Sequence, residues 1–407
     1  MNVLFVSDHA PSSTSHSSSG TYKRMRTFID ALREKAAVRL LFYCRPDLVA
    51  AATNLLESEW ALDTTEFTIC PEGPDPELGS DLWKGYLARA LSIHRQVGYV
   101  CTSGDSQLAA FERALDDRPD IIFAHRLPAM CPVFRTSRRL PPIFLDLDDI
   151  EHVRFVRSIS QPPSWLLKRL GYLQVPALLW AERRAIKLTQ KTFVCSEADE
   201  RYLKATWRLR NVGVIPNSIR VPDAQPFARD PVLLFLGTYA YKPNANAAEE
   251  LITRVWPAVH AACPTARLVL AGDQPERIPS FGRDVPGVQY TGFVPNLDKL
   301  YAGARVFCCP IRAGGGTRIK IIEAAAHGKP VVSTMIGAEG LHFADGREIL
   351  LRDDATAFAD ACIRLLSDDE TSIALGEAAR LKALAMYDRR SVMAHIQEEV
   401  LGTTAAI

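Results

Sequence analysis

Short apolar runs of four to seven residues, rich in Val, Ile, Leu and Phe, alternate along the chain with longer segments of helical period. Runs without an exposed face suit strands covered on both sides, so the alternation predicts parallel sheets sandwiched by helices. The first series of predicted strands is Asn2–Ser7, Val38–Cys44, Ile121–Ala124, Ile143–Leu147, Thr192–Cys195 and a short Val212–Ile215. The stretch 217–231 then carries Pro222, Pro226 and Pro231 with little apolar periodicity and reads as a linker. A second series follows: Val232–Leu236, Arg267–Ala271, Val288–Gly292, Val306–Pro310, Pro330–Ser333 and Glu348–Leu351. Helices are expected between them at Ala245–Ala262, Leu297–Ala302, Arg318–His327, Ala355–Leu366 and Thr371–Met386.

The pattern thus predicts an α/β chain with two Rossmann-like domains facing each other across a cleft. Their expected bounds are 1–216 and 232–386, with a C-terminal segment, 387–407, packing back on the first. In doubly wound sheets ligands bind outside the carboxyl ends of the strands, where the strand order reverses. Candidate chemistry is therefore sought at strand ends.

Composition narrows the class. A chain of 407 residues, 47% hydrophobic and 23% charged, can bury two cores. Its net charge of +1 argues against a surface built for nucleic acid, and no nucleic-acid partner is predicted. The nine cysteines are scattered and form no CxxC pair, which fits reduced thiols in a cytoplasmic protein. The first strand starts at once, with no signal-peptide pattern ahead of it, and no apolar run reaches the roughly 18 residues of a membrane span.

The most informative segment is CCPIRAGGGTRIKIIEAAAHGKPVVST, from Cys308 to Thr334: a strand, a glycine-rich turn, a helix and a second strand. Gly314, Gly315 and Gly316 let a ligand approach the backbone closely, and Thr317 is placed to cap a helix starting at Arg318. Unpaired N–H groups at a helix start attract anions, and Arg318 and Lys320 add full charges. This is hardware for a phosphate.

Here the chain resembles the family 4 glycosyltransferases of the two-lobed GT-B type, in the subset with a GGGTRIK-like turn. The resemblance implies that the glycine turn and its helix bind the diphosphate of a nucleotide sugar, the donor substrate, with no separate cofactor. It also implies that Glu323 holds the ribose as the second glutamate of an E-x7-E pattern. Gly315 stands at the first glutamate's place, which leaves the sugar open. In LFLGTYAYKPNANAAEEL, Gly237 and Lys242 match the family's loop at the diphosphate, although Thr238 replaces its Arg. Asn246 and Glu249 have the spacing of a capping box. The implied activity is transfer with retention to a glycan, a lipid-linked or another small acceptor, helped by His125, Lys242 and Arg318. A nucleotide-sugar epimerase and a catalytically silent binding subunit stay open as alternatives.

The first half is less specific. Gly20 follows a polar loop and matches the glycine that lines the family's cleft, and Arg24 and Arg26 lie just beyond it. His125 ends an apolar strand, where the family places a histidine against the transferred sugar. Asp146, Asp148 and Asp149 could hold a metal ion, touch an acceptor hydroxyl or cap structure. Cations near the glycine turn already supply what a metal would, so none is predicted. Finally, 154–191 carries eight basic residues against one acid, Glu182, interleaved with Trp165, Tyr172 and Trp180. Such a face suits peripheral contact with an anionic membrane and equally suits an ordinary solvated helix.

Overall fold

The structure is a computed structural model that describes residues 1–11, 19–71, 104–160 and 166–402. Contacts divide the described residues into two compact units, one built from residues up to 215 together with 393 onward, the other from 216–392 with the short piece that ends at Gly20.

The first unit holds a seven-stranded parallel sheet: β1 (Asn2–Ser7), β2 (Ala37–Cys44), β3 (Phe67–Pro71), β4 (Ile121–His125), β5 (Ile143–Asp148), β6 (Lys191–Val194) and β7 (Val212–Val214). The spatial order is β3-β2-β1-β4-β5-β6-β7. β3 was not expected, because Thr68 interrupts its short apolar run and polar residues precede it. β1 and β4 are buried almost throughout, and helices cover both faces of the sheet they centre. The sheet order reverses between them.

The second unit repeats the plan with six strands: β8 (Val232–Leu236), β9 (Arg267–Ala271), β10 (Val288–Gly292), β11 (Val306–Cys309), β12 (Val331–Ser333) and β13 (Leu350–Leu351). Their order is β10-β9-β8-β11-β12-β13, again all parallel, with the reversal between β8 and β11. The proline-rich 217–231 is held to this unit: the Ile219 N–H donates to the Tyr387 carbonyl at 2.9 Å and Arg380 donates to the Pro222 carbonyl at 2.9 Å. A further helix, Arg389–Gln397, lies beyond the last one expected, and Gln397 donates to the Ala31 carbonyl at 2.9 Å.

Two local expectations are corrected. The helix after β8 begins at Lys242, three residues early, and runs to Ala262 through a wider turn at Leu251–Val255. Asn246 and Glu249 are therefore interior, and no capping box forms; Glu249 instead accepts from the Ser280 N–H at 2.8 Å and its hydroxyl at 2.7 Å. Pro243 explains the early start, since its fixed φ suits a first turn and its missing N–H costs nothing there. The helix after the glycine turn begins at Ile319, with Arg318 as its uncapped first flank. Thr317 does not cap it: it stands one residue ahead of that flank, and its hydroxyl oxygen accepts from the Asn217 side chain at 2.7 Å.

Candidate functional site

Each sheet places chemistry at its reversal point. In the second unit the ends of β8 and β11 bring together the loop 237–242 and the glycine turn 314–317. Gly237 donates its N–H to the Ala271 carbonyl at 2.9 Å, which carries the loop off the sheet edge. A Cβ at Gly237 would lie 2.6 Å from Asn244 Nδ2 and 2.9 Å from Lys320 Nζ, so a side chain there would displace the ends of both. Asn244 donates to the Thr238 carbonyl at 2.9 Å and accepts from Lys320 Nζ at 2.8 Å. Lys320 also lies over the Phe235 ring, 4.8 Å from its centroid. Here the ammonium is steered to the β8 loop by an amide and an aromatic face.

The glycine turn is shaped from within. Gly314 and Gly316 have φ of +114° and +58°, which side chains other than glycine's rarely adopt. Arg318 folds back on the turn, donating to the carbonyls of Gly315 and Gly316 at 2.5 Å each and of Ala313 at 3.4 Å. Those carbonyls thus point toward the guanidinium, and the turn's shape is set by it. Gly314 also lies close to Tyr241: a Cβ there would be 2.7 Å from the Tyr241 hydroxyl. Gly315, Gly316 and Thr317 are half-buried, and Lys242 is exposed at the start of its helix. Glu323 is one turn into the helix Ile319–Ala326, half-buried, accepting from the Tyr301 hydroxyl at 3.4 Å. Burial, helped by Glu323, drives the Tyr301 phenol well above its usual range, so it stays a donor.

In the first unit the ends of β1 and β4 hold a second cluster, in which His125, Arg24 and Asp146, each singled out separately in the sequence, come together. His125 and Asp146 are fully buried, and His125 Nδ1 lies 3.1 Å from Asp146 Oδ2. Arg24, expected near a ligand, is instead buried in an ion pair: Nε reaches Asp146 Oδ2 at 2.9 Å, Nη2 reaches Oδ1 at 2.6 Å, and Nη1 donates to the Ile215 carbonyl at 2.8 Å. Burial alone would raise the Asp146 carboxyl, but Arg24 and His125 hold it below the usual carboxylate range. Arg26 pairs with Asp30 and covers the Trp60 ring. Gly20 begins the helix Gly20–Arg33, and most of the polar loop before it, 12–18, lies outside the described residues.

Arg126 adopts φ 69° and ψ 157°, a conformation costing on the order of 1–3 kcal/mol outside glycine. Its N–H donates to the Asp146 carbonyl at 2.7 Å, and its guanidinium pairs with Asp8 and Glu151 at 3.2 Å each. Burial pushes the Asp8 carboxyl up against the pull of Arg126 and His125. Burial and the nearby Arg126 cation push His9 down to about 3, so it is neutral at physiological pH. Asp8 Oδ1, His9 Nε2 and His125 Nε2 have no hydrogen-bond partner among the described residues. The signal that could have found Asp8 and His9 is position: they follow β1 at its carboxyl end.

Asp148, at φ 59° beside a bulge in β5, accepts from the Thr21 hydroxyl at 3.2 Å, and Asp149 lies 3.9 Å from Arg154. Among the described residues no group of three or more His, Cys, Asp or Glu is placed to hold a metal ion. In 154–191 the helix Val175–Leu188 exposes Trp180, Arg183, Arg184, Lys187 and Leu188, with Tyr172 and Leu173 just before it. Trp165 lies outside the described residues. Among the described residues no helix is long and apolar enough to cross a membrane.

Two doubly wound units, each with its ligand-binding end at a reversal point, have the GT-B glycosyltransferase fold. Residues 230–368, within the second unit, match the family profile described as "Glycosyl transferases group 1". A phosphatidyl-myo-inositol mannosyltransferase of Mycolicibacterium smegmatis is 29% identical over 215 residues, 48% of this chain and 54% of the relative. The chain thus spans about half the length of the curated relatives it matches. Among solved structures, the sucrose-phosphate synthase of Thermosynechococcus elongatus superposes with a TM-score of 0.70 at 16% identity, over all of both chains. The Anabaena HepE protein, in complex with UDP and glucose, gives 0.66 at 15% identity, again over all of both chains.

Proposed function

We propose that the chain is a retaining glycosyltransferase that moves a sugar from a nucleoside-diphosphate donor to a hydroxyl of a glycan or lipid-linked acceptor. One observation carries this reading: the glycine turn, the start of the helix Ile319–Ala326 and the Lys320 ammonium converge where β8 and β11 diverge. As the glycosidic bond breaks, negative charge grows on the departing diphosphate. Lys320 and Lys242, with backbone N–H groups at the turn, stabilise that charge before it forms, which favours the transition state over the ground state. Arg318 supports the turn's carbonyls and adds positive potential beside it. Glu323 accepts from the ribose hydroxyls. In this reading the cations do the work a divalent metal does elsewhere, and turnover persists in excess EDTA.

The first unit serves the acceptor side, with His125 Nε2 meeting a substrate hydroxyl. The exposed Trp180 and Leu173, flanked by Arg183 and Lys187, favour an acceptor held at an anionic membrane surface. The relatives named for inositol-lipid mannosylation support that class of acceptor.

The test is a panel of nucleoside-diphosphate sugars, read by thermal shift and then by product analysis with candidate acceptors. One donor should stabilise the protein, by about 2.7 kcal/mol at a hundredfold excess over its Kd, and the product should keep the donor's anomeric configuration. No shift with any donor would sink the proposal, and an epimerised donor formed without acceptor would replace it with the epimerase reading.

A further inference from the structure

The buried trio of Arg24, Asp146 and His125 is more than a structural ion pair. A carboxylate has no proton to give, so across the 3.1 Å contact His125 Nδ1 must carry the hydrogen and donate it to Asp146. Asp146 is itself immobile: Arg24 grips both its oxygens, and the Ile215 carbonyl fixes the far side of the guanidinium. The Phe5 ring stacks on the imidazole at 6.2 Å and 26°, which holds its plane. The ring therefore has one orientation and one tautomer, with the Nε2 lone pair buried and without a hydrogen-bond partner among the described residues.

We infer that Asp146, held by Arg24, is a positioning residue that locks His125 as a hydrogen-bond acceptor for a hydroxyl of the substrate. The neighbours select the same chemistry. Asp8 Oδ1 is a second unpaired acceptor at this strand end, and Glu151 adds negative charge nearby. Both unpaired acceptors need a donor, which a neutral polyhydroxy group provides. A phosphate offers acceptor oxygens only and meets Asp8 with like charge, so it is excluded from this place. The identity of the hydroxyl as a sugar or acceptor group rests on the transferase reading above; the tautomer does not.

The ring nitrogens decide the matter. In protein labelled with 15N-histidine, the His125 signal, assigned by its loss in His125→Gln, should show a protonated Nδ1 and an unprotonated Nε2. The reverse pattern overturns the inference. Asp146→Asn should mix the tautomers and lower kcat by about tenfold or more, as for other outer carboxylates that orient a histidine, with the donor KM within about twofold. A folded Asp146→Asn that keeps the wild-type tautomer overturns the inference as well. If that variant fails to fold because the Arg24 charge is stranded, the double variant Arg24→Gln/Asp146→Asn removes both charges and is read by the same two criteria. Wild-type protein inactive with every donor would count against the transferase reading, while the ring measurement would still test the tautomer.

Discussion

Arg318 and Lys320 stand two residues apart, yet their hydrogen bonds give them separate tasks. Arg318 is buried against three carbonyls of its own turn, whereas Lys320 reaches across to Asn244 and the face of Phe235. Sequence marks both as cations beside a glycine turn, and cannot say which one the turn itself consumes. Glu323 is half-buried, and the bond it accepts from the Tyr301 hydroxyl is long, at 3.4 Å. Glu323→Ala should weaken nucleotide binding by about 10- to 100-fold, the loss of one charge-assisted hydrogen bond or more. The melting temperature without nucleotide should move by no more than about 2 °C. Calorimetric titration of the nucleotide and a melting curve check both halves. Lys329 gives a pH prediction. It is buried, donates to the Ala302 carbonyl at 3.3 Å, and burial lowers its amine to about 8 from 10.5. A base whose folded pKa is depressed adds stability that is present above the unfolded value and lost as pH falls through the folded one. Between pH 8 and 10.5 the unfolded chain binds more protons, so stability should rise with pH, by up to about 3 kcal/mol from this group. Lys329→Met should abolish that rise and be the more stable protein at pH 7, as measured by urea unfolding at several pH values.

At the scale of elements, the helix Ile319–Ala326 is fixed at both ends. Its start is set by the turn, and its end by Gly328 at φ +69°, against which the long helix Asp369–Tyr387 packs at Gly376. A Cβ at Gly376 would lie 2.2 Å from the Gly328 carbonyl oxygen, so the two backbones touch without side chains between them. Gly376→Ala must push the helices apart, at a cost of about 1–3 kcal/mol. A fall of about 5 °C in melting temperature is expected, along with weaker nucleotide binding, because the displaced helix carries Glu323. An unchanged melting curve would mean this packing is looser than the structure shows. Element existence was largely legible: most expected strands appear within a residue or two, since fully buried parallel strands write themselves as apolar runs. Helix starts were less legible. Asn246 and Glu249 have the spacing of a cap, but Pro243 and packing onto β8 start the helix earlier, and the spacing became incidental.

For the molecule as a whole, net charge near zero conceals a local asymmetry. The helix Val175–Leu188 presents Trp180, Arg183, Arg184 and Lys187 to solvent, a combination that suits the headgroup region of an anionic bilayer. The chain should cosediment with vesicles rich in anionic lipid and release as salt rises past about 0.5 M, where the screening length falls below 5 Å. Trp180→Ala combined with Arg183→Glu and Lys187→Glu should abolish cosedimentation while leaving thermal stability and donor binding intact. Equal sedimentation of wild type and variant would return this face to the role of a solvated helix. What sequence determined by itself was local: the apolar runs that become two parallel sheets, and the glycine-rich turn followed by its cations and Glu323, because backbone freedom and hydrophobic burial are written residue by residue. What only the tertiary structure decided was pairing at a distance. Arg24 meets Asp146 across 122 residues, and Lys320 meets Asn244 across 76. A charge's partner depends on which strand ends the fold brings side by side, and the strand order that does so leaves no mark in either residue's own neighbourhood.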